Sequence, residues 1–242
     1  MNDHQLAAQL ATQAGELLLT VRDELAGAAE SERKAAGDKQ SHDFLMAALA
    51  ESRPADAVLS EEGADDPVRL RSERVWIVDP LDGTREFSEL GRQDWAVHVA
   101  LWESGGLVAG AVALPAQGVT LATPQIAPPP AHQGPPRIVV SRTRPPAIAL
   151  RVRDRLGGTL VEMGSAGAKV AAVIQGLADV YVHGGGQYEW DSAAPVAAAR
   201  AAGLHTSRLD GSALQYNRPD PLLPDLVVCR PELADAVLNV TG

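Results

Sequence analysis

Residues 75–84 constrain the fold of this chain more strongly than any other stretch, because they join a buried strand to a tight acidic turn. Residues 75–78 are valine, tryptophan, isoleucine and valine, an apolar run that is typical of a buried strand. The run ends at Asp79, and Pro80 has no N–H to donate to a neighbouring strand. A second carboxylate, Asp82, follows three residues after Asp79. The pattern therefore predicts a strand that places two carboxylates on one turn.

Two ionised carboxylates on one turn repel each other unless a cation lies between them. Hard oxygen ligands such as Asp79 and Asp82 suit Mg²⁺, which takes one or two protein carboxylates and leaves positions for water and phosphate. Gly83 would let a phosphate approach the backbone, and the amides that follow would form the anion-binding start of a helix. The stretch alone also fits a plain Asp-Pro turn followed by an Asp-Gly turn.

Two more acidic motifs accompany this turn. Ser60-Glu61-Glu62-Gly63 lies upstream, and the sequence EWDSAAP occupies residues 189–195 downstream. With DPLDGT at residues 79–84, they resemble the inositol monophosphatase superfamily of Mg²⁺-dependent, lithium-sensitive phosphatases. The Arg-Glu-Phe after DPLDGT and the Ser-Arg pair at residues 141–142 look most like the 3′(2′),5′-bisphosphate nucleotidase branch. The resemblance covers about residues 30–225.

The resemblance implies an α/β fold, the layered αβαβα sandwich of the inositol monophosphatases. It also implies two parts. Residues 1–134 would form an N-terminal α+β part with most of the metal ligands, and residues 135–242 a C-terminal α/β part that completes the metal and substrate site. The proline-rich residues 115–136 read as a linker or an irregular surface loop between them.

Local patterns predict the elements of each part. Apolar residues at helical spacing predict a helix from Leu6 to Leu25, and small and charged residues predict a loop from Gly27 to Gly37. Asp38 fits the N-cap of a second helix. Further predictions are a short strand at residues 58–60, a hairpin over residues 95–114, βα units over residues 137–176, an alanine-rich helix over residues 192–202 after Asp191, a strand at residues 225–230 and a helix that starts at Pro231.

The resemblance assigns metal ligands to Glu61, Asp79, the Leu81 carbonyl, Asp82 and Asp191. Four carboxylates fit two Mg²⁺ ions about 3.5–4 Å apart, a geometry that clamps a phosphate during in-line displacement. The catalytic residues would be Glu61, Thr84, which orients the attacking water, and Asp38, which accepts a proton or holds a third Mg²⁺. The stretch Lys34-Ala35-Ala36-Gly37 departs from the family pattern, so side-chain support for a third ion is weak.

The substrate-binding residues that the resemblance implies are Gly83, Thr84, Ser141, Arg142, Gly164, Ser165, Lys169 and Glu189. Arg142 or Lys169 would meet a second phosphate, although Lys169 fits a solvated lysine almost equally well. The implied reaction removes the 3′-phosphate of adenosine 3′,5′-bisphosphate, giving AMP and phosphate, in sulfate assimilation. Inositol-1-phosphate and fructose-1,6-bisphosphate are alternative substrates, and dual activity fits the mixed motifs. A non-catalytic phospho-ligand sensor is less favoured, because all the inner carboxylates are present.

Composition restricts the partners. The 242 residues carry a net charge of −10, which argues against a nucleic-acid polymer and leaves a small phosphorylated molecule as the expected ligand. The single cysteine, Cys229, lies in an apolar run and allows no disulfide framework. No signal-like segment or apolar window of membrane length occurs, so we expect a cytoplasmic protein without a membrane partner. A homodimer is compatible with the sequence.

Overall fold

The structure is a computed structural model that describes residues 1–242. It contains seven α-helices and ten strands, joined in places by short 3₁₀ turns. The helices are α1 (Asp3–Glu24), α2 (Glu30–Ser52), α3 (Thr84–Ser88), α4 (Ala147–Leu156), α5 (Ala166–Ile174), α6 (Glu189–Ala201) and α7 (Ala234–Thr241). The strands are β1 (Ala57–Ser60), β2 (Arg74–Asp82), β3 (Ala96–Glu103), β4 (Gly106–Leu114), β5 (Val119–Ala122), β6 (Arg137–Ser141), β7 (Thr159–Met163), β8 (Val180–Tyr188), β9 (His205–Ser207) and β10 (Leu222–Cys229).

The strands form two five-stranded sheets. The first sheet has the order β1-β2-β3-β4-β5, in which β1 and β2 are parallel and every other pair is antiparallel. The second has the order β7-β6-β8-β10-β9, in which β6 is parallel to β7 and β8, whereas β10 is antiparallel to its neighbours. Each sheet lies within one of the two parts predicted from the sequence, and the boundary between residues 134 and 135 stays a prediction.

The helices complete a five-layer sandwich, because each sheet face buries its apolar side chains against a helix layer. Helices α1 and α2 cover the outer face of the first sheet, and α4 and α7 cover that of the second. Helices α5 and α6 lie between the sheets in the largest apolar cluster, of 28 buried residues. Alanine and valine dominate this central layer, so both sheets approach the helices closely. The predicted αβαβα architecture is confirmed.

The predicted loop from Gly27 to Gly37 is wrong. Helix α2 begins at Glu30, so Asp38 lies inside the helix and does not cap it. Residues 30–36 are mostly good helix formers, and the acidic residues in the first turn favour a helix start there. Gly37 continues the helix because this side packs closely: an added Cβ would lie 2.6 Å from the Phe87 ring. Helix packing therefore overrides the breaker signal of the glycine.

Other boundaries also differ from the predictions. The helix predicted to start at Pro231 begins as a 3₁₀ turn over Pro231–Leu233, and α7 starts at Ala234. The segment 115–136 is not wholly irregular, because its β-branched Val119 and Thr120 begin β5, which pairs with β4. Helix α6 begins at Glu189 and not at Ser192, so Asp191 lies in its first turn. The β3–β4 hairpin, the helix α1 and the buried Cys229 in β10 are confirmed. None of the helices is both long and apolar enough to cross a membrane.

A pair of glycines in β4 tests how tightly the central layer is packed. An added Cβ at Gly110 would lie 2.6 Å from the Ala197 Cβ of α6, whereas one at Gly106 would meet nothing within 4 Å. We expect Gly110→Ala to lower the free energy of unfolding by about 1–3 kcal/mol through overpacking. Gly106→Ala is the matched control and should stay within about 0.5 kcal/mol of the parent. Urea unfolding measures both, and equal stabilities would contradict the close packing.

Candidate active site

Three buried or half-buried carboxylates converge where β2 meets α6. One oxygen each from Asp79, Asp82 and Asp191 lies within 4.8 Å of the others. Asp79 and Asp82 end β2, where its pairing with β3 becomes irregular, and Asp191 comes from the first turn of α6. The Asp79 Oδ1 atom accepts a hydrogen bond from the Leu81 amide at 3.0 Å, which shapes the turn. The three predicted ligands therefore meet, although two come from a strand of the first sheet and one from a helix of the central layer.

Glu61 joins this cluster from the neighbouring strand. Because β1 runs parallel to β2, with Ser60 opposite Val78, the residue after β1 reaches the end of β2. The Glu61 carboxylate lies close enough to that of Asp79 for the two to affect each other's pKa directly. Loss of water around the carboxylate, followed by the charges of Asp191 and Asp82, raises the pKa of Glu61 to about 7.

The electrostatics of the cluster are unusual because no lysine or arginine forms an ion pair with it. Only His98 approaches Asp79 and Asp82, with Nδ1 3.9 Å from Asp79 Oδ2 and Nε2 3.3 Å from Asp82 Oδ2. Burial and then the neighbouring carboxylates raise the pKa of Asp79 well above its usual range. Burial and then the charge of Asp82 raise the pKa of Asp191 to about 6. Both carboxyls therefore hold their protons to a higher pH than an exposed carboxyl does.

Asp82 behaves differently, because the start of α5 holds its charge. The Asp82 oxygens accept hydrogen bonds from the Ala166 amide at 3.1 Å and from the Gly167 amide and the Ser165 hydroxyl, each at 2.5 Å. Burial opposes ionisation, but His98 and these donors outweigh it and lower the pKa of Asp82 to about 2. The His98 Nδ1 atom lies 3.0 Å from the Trp190 carbonyl oxygen, whereas its buried Nε2 has no hydrogen-bond partner.

This donor set fits a divalent cation. The cluster offers only carboxylate oxygens, the ligands that Mg²⁺ and Ca²⁺ prefer. The fully buried Asp79 has only His98 as a basic neighbour, and burial followed by the charges of the nearby carboxylates raises its pKa. A bound cation would oppose both effects. The residues that could hold the metal are thus Glu61, Asp79, Asp82 and Asp191, with the Leu81 carbonyl on the same turn.

Thr84 and Asp38 form a hydrogen-bonded pair beside the cluster. The Thr84 hydroxyl lies 3.1 Å from Asp38 Oδ1 and 3.2 Å from the Leu81 carbonyl oxygen. Burial raises the pKa of Asp38 to about 6, and the hydrogen bond from Thr84 opposes that shift. Gly83 has a φ of 85° and precedes α3, whose first amides have no acceptor within the helix. The backbone conformation that places Thr84 thus favours glycine just before it.

A cavity of about 560 Å³ opens beside the carboxylates, a size that suits a small organic ligand. Its walls are mostly polar and include Asp82, Asp191, Ser141, Lys169, Arg144 and His183. The sequence analysis missed Arg144 and His183. Arg144 follows the predicted Ser141-Arg142 pair by two residues, and His183 lies in β8 directly before the three glycines, so proximity to those motifs was the available signal. A cavity of about 640 Å³ elsewhere contains none of the predicted site residues.

The loop before α5 contributes a second wall of the site. Ser165 caps α5 through a hydrogen bond of 2.9 Å from the Ala168 amide to its Oγ. The buried Lys169 donates from Nζ to the carbonyls of Gly164 and Ser165, and burial lowers its pKa. Gly164 packs against Glu86 so closely that an added Cβ would lie 2.2 Å from its Cγ. Lys169 is therefore not a freely solvated lysine but an ordered cation at the cavity wall.

Two predicted substrate residues have other partners in the structure. Arg142 donates to Glu86 Oε1 at 2.7 Å and to Glu89 Oε1 at 2.6 Å, and it does not line the cavity. Glu189 is buried, and its two carboxylate oxygens accept backbone amides from Asn217 and Arg218. Neither residue lines the cavity, and their roles toward a substrate stay predictions.

Comparison with known proteins places the chain in a family. The model of the inositol monophosphatase family matches residues 2–127 and 138–240. The chain belongs to the inositol monophosphatase family. The match spans both sheets and includes the segments that carry all four clustered carboxylates.

Relatives within the family share most of the length of this chain. A 3′-phosphoadenosine 5′-phosphate phosphatase of Mycobacterium leprae is 51% identical, over 99% of this chain and 93% of that protein. The 3′(2′),5′-bisphosphate nucleotidase CysQ of Escherichia coli is 30% identical, over 89% of this chain and 94% of its own length. The crystal structure of CysQ from Bacteroides thetaiotaomicron superimposes with a TM-score of 0.79 at 27% identity, covering 94% of this chain and 97% of that one.

The raised carboxylate pKa values of this inositol monophosphatase-family site predict how stability depends on pH. Ionising Asp38 and Asp191 (pKa about 6) and Glu61 (about 7) costs more in the folded than in the unfolded protein. With chelator present, their contribution to folding stability is therefore lost as the pH rises from about 5 to about 8. We expect the melting temperature of the metal-free protein to fall over this window, and Mg²⁺ to raise it more at pH 8 than at pH 5, where protons compete.

Differential scanning calorimetry in buffers of matched ionic strength measures both effects. The carboxylates with lowered pKa values are already ionised above pH 5, so they add no slope in this window. Asp79→Asn should flatten the pH dependence, because it removes one member of the cluster. A melting temperature that rises with pH in chelator would contradict the electrostatic account of the site.

Proposed function

We propose that this protein is a Mg²⁺-dependent phosphatase that removes the 3′-phosphate of adenosine 3′,5′-bisphosphate, giving AMP and phosphate. The observation that carries the proposal is the convergence of Asp79, Asp82 and Asp191 within 4.8 Å of one another, without a lysine or arginine ion pair, at the edge of a polar cavity. The choice of substrate is supported by two relatives, 51% and 30% identical to this chain, whose names describe phosphatases of this nucleotide class.

Glu61, Asp79, Asp82, Asp191 and the Leu81 carbonyl would hold two Mg²⁺ ions, and Asp38 is the candidate ligand for a third. When bound, Mg²⁺ supplies Lewis-acid chemistry, which lowers the pKa of water and stabilises negative charge on phosphoryl and leaving oxygens. The protein contributes a fixed frame of carboxylates, which is costly to assemble without the ions and is preorganised for them.

Thr84 would orient the attacking water, and Asp38 would accept its proton. The Thr84 hydroxyl donates to Asp38 or to the Leu81 carbonyl, so its oxygen lone pairs are left to orient a water molecule. Asp38 ionises at a pKa of about 6, so at neutral pH it is a competent proton acceptor through Oδ1 and Oδ2. The amides after Gly83 would then bind the phosphoryl oxygens, next to Thr84 in the same turn.

One assay tests the proposal against its alternatives. Phosphate release is measured with adenosine 3′,5′-bisphosphate, inositol-1-phosphate and fructose-1,6-bisphosphate, each with Mg²⁺ and with chelator. We expect the bisphosphate nucleotide to have the highest kcat/KM and all turnover to require Mg²⁺. A higher kcat/KM for inositol phosphate would transfer the assignment to an inositol monophosphatase, and no release from any substrate would favour a binding protein.

The same assay tests lithium sensitivity, which we propose from the carboxylate set. Li⁺ is close to Mg²⁺ in size but carries half its charge, so it can occupy a carboxylate site and stabilise the leaving group poorly. Inhibition is expected at limiting Mg²⁺. We also propose a role in sulfate assimilation, a cytoplasmic location and a homodimer. Complementation of a mutant that lacks this activity tests the role in sulfate assimilation. Sedimentation analysis tests the homodimer.

The first mutational prediction concerns the acidic frame. Asp79→Asn or Asp82→Asn should lower kcat/KM by at least about a hundredfold, because each removes a charge that holds Mg²⁺. Asp79→Asn should still fold, since an amide relieves repulsion in the metal-free state. Asp82→Asn should lose some stability, because its NH2 group would replace an oxygen that accepts hydrogen bonds from α5. Thr84→Ala should keep Mg²⁺ affinity and lose turnover. Asp43→Asn, an exposed carboxylate on α2 that pairs with Lys39, is the control and should leave turnover unchanged. Parent-like turnover in Asp79→Asn would refute the assignment.

The second mutational prediction concerns the 5′-phosphate. Arg144 lines the cavity and is exposed, with no carboxylate ion pair, whereas Arg142 is held by Glu86 and Glu89. Arg144→Gln should lower kcat/KM for adenosine 3′,5′-bisphosphate about ten- to a hundredfold, the value of one charge-assisted contact. Adenosine 3′-monophosphate, which lacks the 5′-phosphate, should be almost unaffected.

Arg142→Gln is the matched control for this prediction, since it removes a neighbouring guanidinium from the same loop. It should change the kcat/KM of both nucleotides by similar factors, because its ion pairs with Glu86 and Glu89 order the loop and Arg142 does not line the cavity. If Arg142→Gln alone reduces the preference for the bisphosphate, Arg142 binds the second phosphate, as the sequence analysis predicted.

A further inference from the structure

Arg69 is a wholly buried arginine that lies outside the carboxylate cluster. Its side chain is 0% exposed, in the 3₁₀ turn Pro67–Arg71 that leads into β2. Its Nε and Nη2 donate to the two oxygens of Asp65 at 2.6 and 2.9 Å, and its Nη1 donates to Asn217 Oδ1 at 2.9 Å. A buried guanidinium is costly unless it is paired in this way, so this arrangement fixes the turn and Asn217 relative to each other.

Asn217 connects this arginine to α6. Its Nδ2 donates back to the Arg69 carbonyl at 3.1 Å, so the two residues are doubly linked. Its backbone has a φ of 57°, in the left-handed region that asparagine tolerates better than most residues. In this conformation the Asn217 amide donates to Glu189 Oε2 at 2.6 Å, and the Arg218 amide donates to Glu189 Oε1 at 2.8 Å.

Glu189 is the first residue of α6, and its side chain is almost fully buried. Its own amide donates to the Pro221 carbonyl at 2.8 Å. The segment 217–221 therefore binds both the backbone and the side chain of this residue. Asp191 follows two residues later in the same turn, and its Oδ2 accepts the Tyr188 amide at 2.6 Å. The orientation of this turn therefore sets where the Asp191 carboxylate lies relative to β2.

We propose that the side chains of Arg69, Asn217 and Glu189, here called the Arg69 clamp, position Asp191 for metal binding. The clamp ties the start of α6 to the segment that leads directly into β2, which carries Asp79 and Asp82 at its other end. The carboxylates from the two halves of the chain are thereby held at a fixed separation. Outer-shell partners of metal ligands typically contribute 10–100-fold to metal affinity. The inference rests on the proposed Mg²⁺-dependent activity, in which Asp191 is a ligand.

Asn217→Gly tests the clamp with little backbone cost, because glycine adopts positive φ readily while both side-chain links to Arg69 are lost. We expect isothermal titration calorimetry to show Mg²⁺ affinity reduced by about tenfold or more. The Mg²⁺ concentration for half-maximal phosphate release should rise equally, with kcat at saturating Mg²⁺ largely retained. Asn217→Asp keeps the acceptor for Arg69 Nη1 and tolerates the left-handed backbone, but it loses the Nδ2 donor, so it should restore part of the affinity.

Glu189→Gln is a second test that does not depend on Asn217, since it preserves side-chain volume but places an amide donor against a backbone N–H. It should weaken Mg²⁺ binding in the same direction. Arg74→Lys is the matched control: Arg74 also pairs with several carboxylates (Asp3, Asp56 and Glu103), but at the opposite end of β2 from the cluster. That variant should lose thermal stability without a change in Mg²⁺ affinity.

The outcomes separate this inference from the proposed function. If Asn217→Gly and Glu189→Gln lower the melting temperature but leave Mg²⁺ affinity at the parent value, the Arg69 clamp only stabilises the fold and the inference is wrong. If the parent itself binds no Mg²⁺ and releases no phosphate, the proposed function fails and the inference fails with it. Weakened Mg²⁺ binding in both variants, with partial recovery in Asn217→Asp, supports the clamp.

Discussion

Repulsion among four carboxylates is the interaction on which the rest of this structure depends. Asp79 is wholly buried at the end of a central strand, with Glu61, Asp82 and Asp191 around it. An apolar core would not assemble such a group, because each ionised carboxylate loses solvation and meets like charge. The fold supplies compensation at particular points, such as the α5 amides that donate hydrogen bonds to Asp82. A divalent cation would neutralise the carboxylate charge that these contacts leave unbalanced.

The sandwich architecture explains how distant segments of sequence reach this point. A parallel pair of strands brings the end of β1 beside the end of β2, and the central helix layer brings the starts of α5 and α6 to the same edge. Helix starts offer unpaired amides, which favour negative charge. Strand ends supply most of the carboxylates, and the amides at the start of α5 donate hydrogen bonds to one of them, Asp82. The site is therefore a product of topology as much as of its individual side chains.

Much of the site was predictable from the sequence, because its motifs are local. DPLDGT specifies both the strand and the turn, and the carboxylates of Asp79, Asp82 and Asp191 lie within 4.8 Å of one another in the structure. Contacts that depend on tertiary packing were not predictable. Gly37 reads as a breaker, yet it lies inside α2 because the Phe87 ring fills the space of a side chain. Arg142 reads as a free cation because nothing local shows that Glu86 and Glu89 face it.

The small residues of the central layer have a consequence for how this protein can vary. Helix α6 is mostly alanine, and its Ala197 lies so near β4 that Gly110 has no room for a methyl group. Almost every substitution there enlarges a side chain, and well-packed interiors tolerate enlargement poorly. This layer also carries Asp191 and Lys169. Mutational tolerance should therefore be lowest in the middle of the molecule and highest in the outer helices and the loops that line the cavity, so new substrate preferences would arise through those loops while the acidic frame stays fixed.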